Sequence, residues 1–444
     1  MAHALPGHDR DRRPAGVALL LLLSSAAAAV LHATAPQQAP PTFRSEVDYV
    51  AVDVQVVDHD GRPMPQLAAD KFEVSIGGKR RRVITADFVR NAQVNSDNAV
   101  PKGLVTASGE PLGVPQSGLG RVFMVAIDEN SLNVGSSRGL VGSVAGFINA
   151  LQPGDLVGLY SYPLGPKIQP TTDHAALIRK LQAVVGNKRM LRSDYHLSPA
   201  EVIDITAQAA KNDSGNATFG AVSASTTLQP TMDETDALRR VQLRECGFSD
   251  VRCIEQIEHE ALAMAFDYEN QVNQSLYGLR NLVMGLSSYP GRKTVVVLSG
   301  GMVVSDRPGG RPDVGTLPLV LGQEAAQANI AIYALHLDTT YLDDLSAQTG
   351  KIDLDPNGRN REGILDRLMS DFSAASGGAF MPDAVGSGDY ALGRVLRETS
   401  AHYLLAIEPM DGDRDGKLRE LRVKVNQPGA TVRSRLWVLI PRRS

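Results

Sequence analysis

Val122-Phe123-Met124-Val125-Ala126-Ile127 is six apolar residues in a row, followed at once by Asp128. A strand with one wet face alternates apolar and polar residues. A run apolar on both faces must be covered on both, as the central strand of a parallel sheet is by two layers of helices. Thr294-Val295-Val296-Val297-Leu298-Ser299 repeats the pattern. Between and beyond these runs, Leu140, Val144, Phe147, Ile148 and Leu151 fall at helical spacing, and Asp173 stands as N-cap before Leu177, Ile178, Leu181 and Val184. Further segments follow in the same alternation: strand 155–160, helix 251–286, helix 319–328, strand 330–335, helix 364–376, strand 379–381 and helix 390–400. Residues 121–401 therefore read as an α/β domain with a mostly parallel sheet flanked by helices. Ligands of such sheets bind beyond the carboxyl ends of the strands, which points to the residues just after Ile127 and Leu298. Residues 186–260 interrupt the alternation as an insertion. Its Asn212 to Thr231 stretch, dominated by Ser, Thr, Asn, Ala and Gly, has too little apolar content to order itself.

Outward from this domain the periodicity changes to two. Val50, Val52, Val54 and Val56 alternate with polar neighbours, the turn residues Asp60-Gly61-Arg62-Pro63 follow, and Phe72 to Ile76 and Val83 to Val89 complete a β module over residues 42–90. Residues 91–120, rich in Asn, Ser, Gly and Pro, read as a linker. Residues 402–444 hold three more alternating segments. Three strands are marginal alone, so the two end segments are expected to pack together as one small all-β sandwich, with the α/β domain inserted between them.

The N-terminus carries Arg10, Arg12 and Arg13, the apolar run Val17 to Val30, and the small residues Ala33-Thr34-Ala35. That is a secretory signal pattern with cleavage near Ala35, leaving no transmembrane helix and a secreted or periplasmic chain. An uncleaved anchor is the alternative; a lipoprotein lacks its cysteine. A net charge of -4, from 45 basic and 49 acidic residues, excludes a broad nucleic-acid surface. The basic run Lys79-Arg80-Arg81-Arg82 follows Gly77-Gly78 and reads as a solvated hairpin flank. The two cysteines, Cys246 and Cys253, are expected to form a disulfide in an oxidising compartment. It would close a small loop and contribute about 2 to 3 kcal/mol.

Taken in order, the strand Val50–Val57 with Asp60-Gly61-Arg62-Pro63, the strand ending in Asp128, Pro290-Gly291-Arg292-Lys293 before Val295 to Ser299, and the close from Tyr403 through Arg433-Ser434-Arg435 resemble the von Willebrand factor type A (VWFA)-related exported proteins of bacteria, common in Acidobacteria. The resemblance implies a Rossmann-like type A domain and a non-enzymatic binding or adhesion role toward a protein or glycan. It also implies a metal-ion-dependent adhesion site for Mg²⁺ or Ca²⁺, built from an Asp-x-Ser-x-Ser loop, a Thr and a second Asp. Here the pattern is degenerate. Asp128 matches, Asn130 stands in place of the first Ser, Leu132 replaces the second, and Ser131 is one residue out of register. Ser275 aligns best with the Thr, with Thr171 and Thr172 as rivals, and Ser299 is the nearest oxygen to the missing Asp. Asp128, Asn130, Ser275 and Ser299 are thus the candidate metal residues, and loss of a carboxylate weakens attraction for a hard dication.

Two other classes compete with recognition. One is a metal-free structural scaffold in an envelope assembly, in which Asp128 merely braces its loop. The other is a hydrolase using Ser299, His336 and Asp338, disfavoured because no glycine precedes the serine and the acid follows the histidine. Neither a phosphate-binding loop nor a zinc-protease motif is present.

Overall fold

In chain order the computed structural model contains β1 (Val50–Val57), β2 (Phe72–Ile76), β3 (Lys79–Arg90), β4 (Val122–Asp128), α1 (Ser137–Asn149), β5 (Leu156–Tyr162), β6 (Lys167–Thr171), α2 (His174–Leu181), α3 (Pro199–Gly215), α4 (Ala237–Glu245), α5 (Val251–Leu286), β7 (Lys293–Ser299), α6 (Leu317–Gln327), β8 (Ile330–His336), α7 (Arg361–Ser376), β9 (Ala379–Met381), α8 (Asp389–Glu398), β10 (Ala401–Glu408), β11 (Leu418–Val425), β12 (Thr431–Arg433) and β13 (Trp437–Leu439). It describes residues 49–90, 121–133, 137–189, 191–215, 237–247, 251–337, 361–382 and 388–442. The signal segment, the 91–120 linker and residues 216–236 of the insertion lie outside them.

Six strands form a sheet in the order β6-β5-β4-β7-β8-β9, parallel except for the edge strand β6. The central strands are buried along their whole length, as their unbroken apolar runs require. Odd-numbered residues of β4 (Phe123, Val125, Ile127) face a core with α1, α2 and α8. Even-numbered ones (Met124, Ala126) face a second core with α5, α6 and α7. The strand order reverses between β4 and β7, the position at whose carboxyl ends sheets of this kind bind their ligands.

The other seven strands form one curled antiparallel sheet, β12-β1-β10-β3-β2-β11-β13. Strands from the two ends of the chain interleave: β1 lies between β10 and β12, and β2 between β3 and β11. Each end segment thus gains ladder partners from the other, and the inward valines of β1 meet Phe72, Tyr403, Leu405 and Ile407 inside the curl. One curled seven-stranded sheet with β12 and β13 as its edges stands where a sandwich of two was expected.

Several details depart from the expectations. Arg81, in the basic run read as solvated, is buried with its guanidinium on Asp413, because β3 alternates and Arg81 falls on the inner face. The insertion holds α3 and α4, whose Val202, Ile205, Ala237 and Val241 pack on the first half of α5 as a separate small core. Cys246 and Cys253 are joined at the end of that core, with Cα atoms 6.2 Å apart. Among the described residues no helix is long and apolar enough to cross a membrane.

Candidate functional site

Asp128 ends β4 and Ser299 ends the neighbouring β7, one on each side of the point where the strand order reverses. Both belong to the even-odd register that faces α5. That helix lies close to the sheet because residue 278 is glycine; a Cβ there would stand 2.6 Å from the Tyr162 ring. Ser275, one turn earlier on the same helix face, is thereby lowered onto Asp128.

The result is a closed polar cluster. Ser275 donates to Asp128 Oδ1 at 2.9 Å, and Ser299 Oγ lies 3.1 Å from both Asp128 Oδ2 and Ser131 Oγ. Ser131 bonds back to the Asp128 carbonyl at 2.9 Å and accepts the Gly300 N–H at 2.8 Å. Asp128 is 1% exposed and Ser299 not at all. Burial raises the Asp128 carboxyl to about 6, against the opposing pull of hydrogen bonds from Ser275, Ser299, Ser131 and the Asn130 N–H. Tyr162, opposite Asp128 on β5, has a buried hydroxyl without a hydrogen-bond partner. Burial and the nearby Asp128 charge hold its proton on well above the ordinary phenol range.

Glu129 is a second buried carboxylate, given no role by the sequence pattern. It accepts from Ser161 Oγ at 2.6 Å and from the N–H groups of Leu164 and Gly165 at 3.2 and 3.0 Å. It ties the β5–β6 turn to the loop after β4. Its signal was its position directly after a strand-end Asp, where an acid has backbone donors to satisfy.

Of the four expected metal residues, Asp128, Ser275 and Ser299 come together and Asn130 does not. The Asn130 side chain turns outward and donates to Gln274 Oε1 at 3.1 Å; only its backbone N–H reaches the carboxylate. Residues 129–131 form a single 3₁₀ turn, which rotates Asn130 out and brings Ser131 in. A reading at alternate positions places these two the wrong way round. Thr171 pairs with Val157 near the start of β5, whereas Asp128 pairs with Tyr162 at its end, so the threonine rival lies at the opposite end of the strand.

Of the hydrolase grouping, Ser299 and His336 are register partners at the ends of β7 and β8. His336 Nδ1 lies 2.7 Å from Asp366 Oδ1, and Ser299 is committed to Asp128 and Ser131; Asp338 lies outside the described residues.

The donor set is a poor match for a divalent cation. Its oxygens are hard, but they carry one carboxylate charge, and both carboxylate oxygens already accept serine protons. The N–H groups of Asn130 and Gly300 also point into the cluster, and such donors favour negative rather than positive charge. Elsewhere among the described residues, Asp58, His59 and Asp60 lie close enough together to share an ion. That group sits in an exposed turn, where Asp58 already accepts the N–H groups of Asp60 and Arg62 at 2.9 Å.

No protein-family model matches the chain, and no curated protein does. Among solved structures, an aerotolerance-related membrane protein from Bacteroides fragilis NCTC 9343, with multiple mutations to serines, is similar over 63% of this chain and 98% of that one, at 11% identity and a TM-score of 0.28. A likeness of that size assigns this chain no function.

Proposed function

We propose that this chain is an exported, non-enzymatic recognition protein. Its α/β part is a Rossmann-like, von Willebrand factor type A-like domain that meets a protein or glycan partner at the carboxyl ends of the parallel strands, without a cation. Counted within the sheet, the strand order is 3-2-1-4-5-6, a doubly wound order whose reversal marks the ligand crevice. The observation that carries the reading is the convergence of Ser131, Ser275 and Ser299 on Asp128 at that crevice. In this reading the metal site implied by the resemblance is replaced by buried hydroxyls bonded around Asp128, which fix the loops without an ion. A scaffold role is the rival reading, favoured by the closure of the cluster to solvent.

Gln274 is exposed and Asn130 half-buried at the rim of this face, their side chains bonded to each other across it. The double variant Asn130→Arg, Gln274→Arg adds charge there without touching the buried cluster. Immobilised wild-type chain is expected to retain an envelope protein or glycan that the variant loses at unchanged melting temperature. Equal retention by both proteins, or none by the wild type, removes the strand-end face from consideration.

A further inference from the structure

The connection from β7 to α6 contains Ser-Asp-Arg-Pro-Gly-Gly-Arg-Pro-Asp-Val-Gly over residues 305–315, a composition that reads as loose loop. It is instead pinned along its length. Val304 N–H donates to the Ile364 carbonyl at 3.2 Å and Ser305 N–H to the Pro312 carbonyl at 2.9 Å. Arg307 pairs with Asp204 at 2.8 Å, Arg311 with Glu269 at 2.9 Å, and Asp313 N–H donates to Glu269 at 2.8 Å. Opposite it, Leu436 N–H donates to the Ala375 carbonyl at the end of α7, at 3.0 Å. These anchored segments, with α6, line an open cavity of about 600 Å³, in the size range of ligand sites. It shares no residue with the Asp128 cluster.

The lining is selective. Trp437, the one tryptophan of the chain, borders the cavity. Leu319 and Leu436 stand at it 49% and 39% exposed. Of the charged residues, Asp306, Asp313 and Asp371 carry three negative charges, Arg307 is spent on Asp204, and Arg367 is left as the uncommitted cation among the lining residues. An excess of carboxylate and an indole at the cavity wall favour the same thing by different physics, a positive charge. The exposed leucines add a preference for apolar neighbours of that charge.

We propose that this cavity is a second recognition site, for a basic peptide segment with apolar flanks: a lysine or arginine side chain seats among Asp306, Asp371 and Trp437, and its neighbours cover Leu319 and Leu436. The pinned walls keep the ordering cost of binding low.

Because Trp437 is unique, intrinsic tryptophan fluorescence reads this cavity without background. The probe is the peptide acetyl-Leu-Lys-Leu-Pro-Lys-Leu-amide, titrated into the full chain, with the analogue carrying glutamate for both lysines and free spermidine as comparisons. The lysine peptide is expected to give a saturable response that weakens with salt and weakens roughly tenfold in the double variant Asp306→Asn, Asp371→Asn. Both acids are exposed, so the variant should melt with the wild type. Should it melt lower, Arg367→Glu supplies the independent arm, since it must tighten binding. No response to the lysine peptide at millimolar concentration, an equal response to the glutamate analogue or to spermidine, or undiminished binding in the double variant without tightening by Arg367→Glu would each overturn the proposal.

Discussion

Two buried carboxylate clusters lie at opposite ends of the parallel sheet, and they solve the same problem by opposite means. At the carboxyl end, Asp128 is held by hydroxyls, and burial raises its carboxyl to about 6. At the amino end, where the curled sheet docks, the carboxylates are held by cations. Glu398 is fully buried between Arg394 at 2.9 Å and Arg433 at 2.7 Å. Asp53 lies beside His402, Arg292 and Arg435 and accepts from Asn329 at 3.0 Å. Burial alone would raise the Asp53 carboxyl, yet those charges and that hydrogen bond together bring it below its ordinary range. The lesson is that burial does not decide a carboxylate's charge; the partner does. Hydroxyls solvate a carboxylate weakly and can serve the neutral acid as well, whereas guanidinium groups reward only the anion.

The largest effect is expected where charge is compensated by charge. Glu398→Ala leaves Arg394 and Arg433, 25% and 17% exposed, facing each other without their shared anion, and with water able to reach both the loss falls at or below the low end of a buried pair's cost, about 3 kcal/mol. Urea denaturation should show a lower midpoint with an unchanged slope. Replacing Arg433 by Met in the same variant should recover part of the loss. If the double variant is less stable than the single one, the cluster is not held by charge pairing and the contrast with Asp128 fails.

The next effect separates the two ends by pH. A carboxyl raised in the folded state lets the folded chain hold its proton when the unfolded chain has released it. Asp128 therefore contributes no penalty below about pH 4, loses stability as pH rises through about 6, and costs about 3 kcal/mol above that. Asp53 has the opposite sign: its lowered carboxyl stabilises above the ordinary aspartate range, and that contribution is lost as pH falls. In chelator, Asp128→Asn should gain on the wild type by about 3 kcal/mol between pH 4 and 7, whereas Asp53→Asn should lose ground as pH rises towards the ordinary aspartate value of about 3.8 and run parallel to the wild type above it. Parallel stability curves for wild type and Asp128→Asn would show that Asp128 is an ordinary ionised acid.

The two ends also differ in how far the sequence exposes them. Asp128 and Ser299 were legible because each follows an unbroken apolar run, and the strand-end rule then places both at one crevice. Ser275 was reachable only through the resemblance, since nothing in its helix marks it. Ser131 and Asn130 were exchanged because a 3₁₀ turn, not an extended loop, follows β4. The amino-end cluster was invisible: Gln55 donates to the Glu398 carbonyl across 343 residues, and Tyr333 reaches Gln55 across 278. Period-two and period-3.6 patterns report which face of an element is buried, but they carry no information about which distant polar residue meets it. The interleaved sheet was half legible for the same reason. The strands announced themselves, while their order depends on pairings between the two chain ends.

A smaller effect tests whether the serines act as partners or as filler. Ser299→Ala removes the hydroxyl that donates to Asp128 and lies 3.1 Å from Ser131 Oγ, without changing the apolar packing, at a cost of about 1 to 2 kcal/mol. Because that hydroxyl bond favours the ionised carboxylate, the cost should be greater at pH 7 than at pH 4, and the Asp128 carboxyl, followed by carbonyl-carbon NMR, should move further upward. An effect equal at both pH values would make Ser299 a packing residue.

The smallest effect is the one that the resemblance makes large. A dication entering the cluster must take both oxygens of Asp128 from Ser275 and Ser299, turn the Ser131 hydroxyl away from its bond to the Asp128 carbonyl, and approach the N–H groups of Asn130 and Gly300. It gains one carboxylate charge in return, less than hard-cation sites supply. Any ligand that binds only the folded chain raises its melting temperature by mass action, and a ligand at its own dissociation constant already adds about 0.4 kcal/mol. Mg²⁺ or Ca²⁺ at 5 mM, an experimental choice on the order of the weakest extracellular calcium sites, is therefore expected to leave the melting temperature unmoved relative to chelator at pH 7, where Asp128 is ionised and most receptive. A rise of several degrees that disappears in Asp128→Asn would mean that the serines yield to the ion, and that the hydroxyl cluster is the resting form of a metal site rather than its replacement.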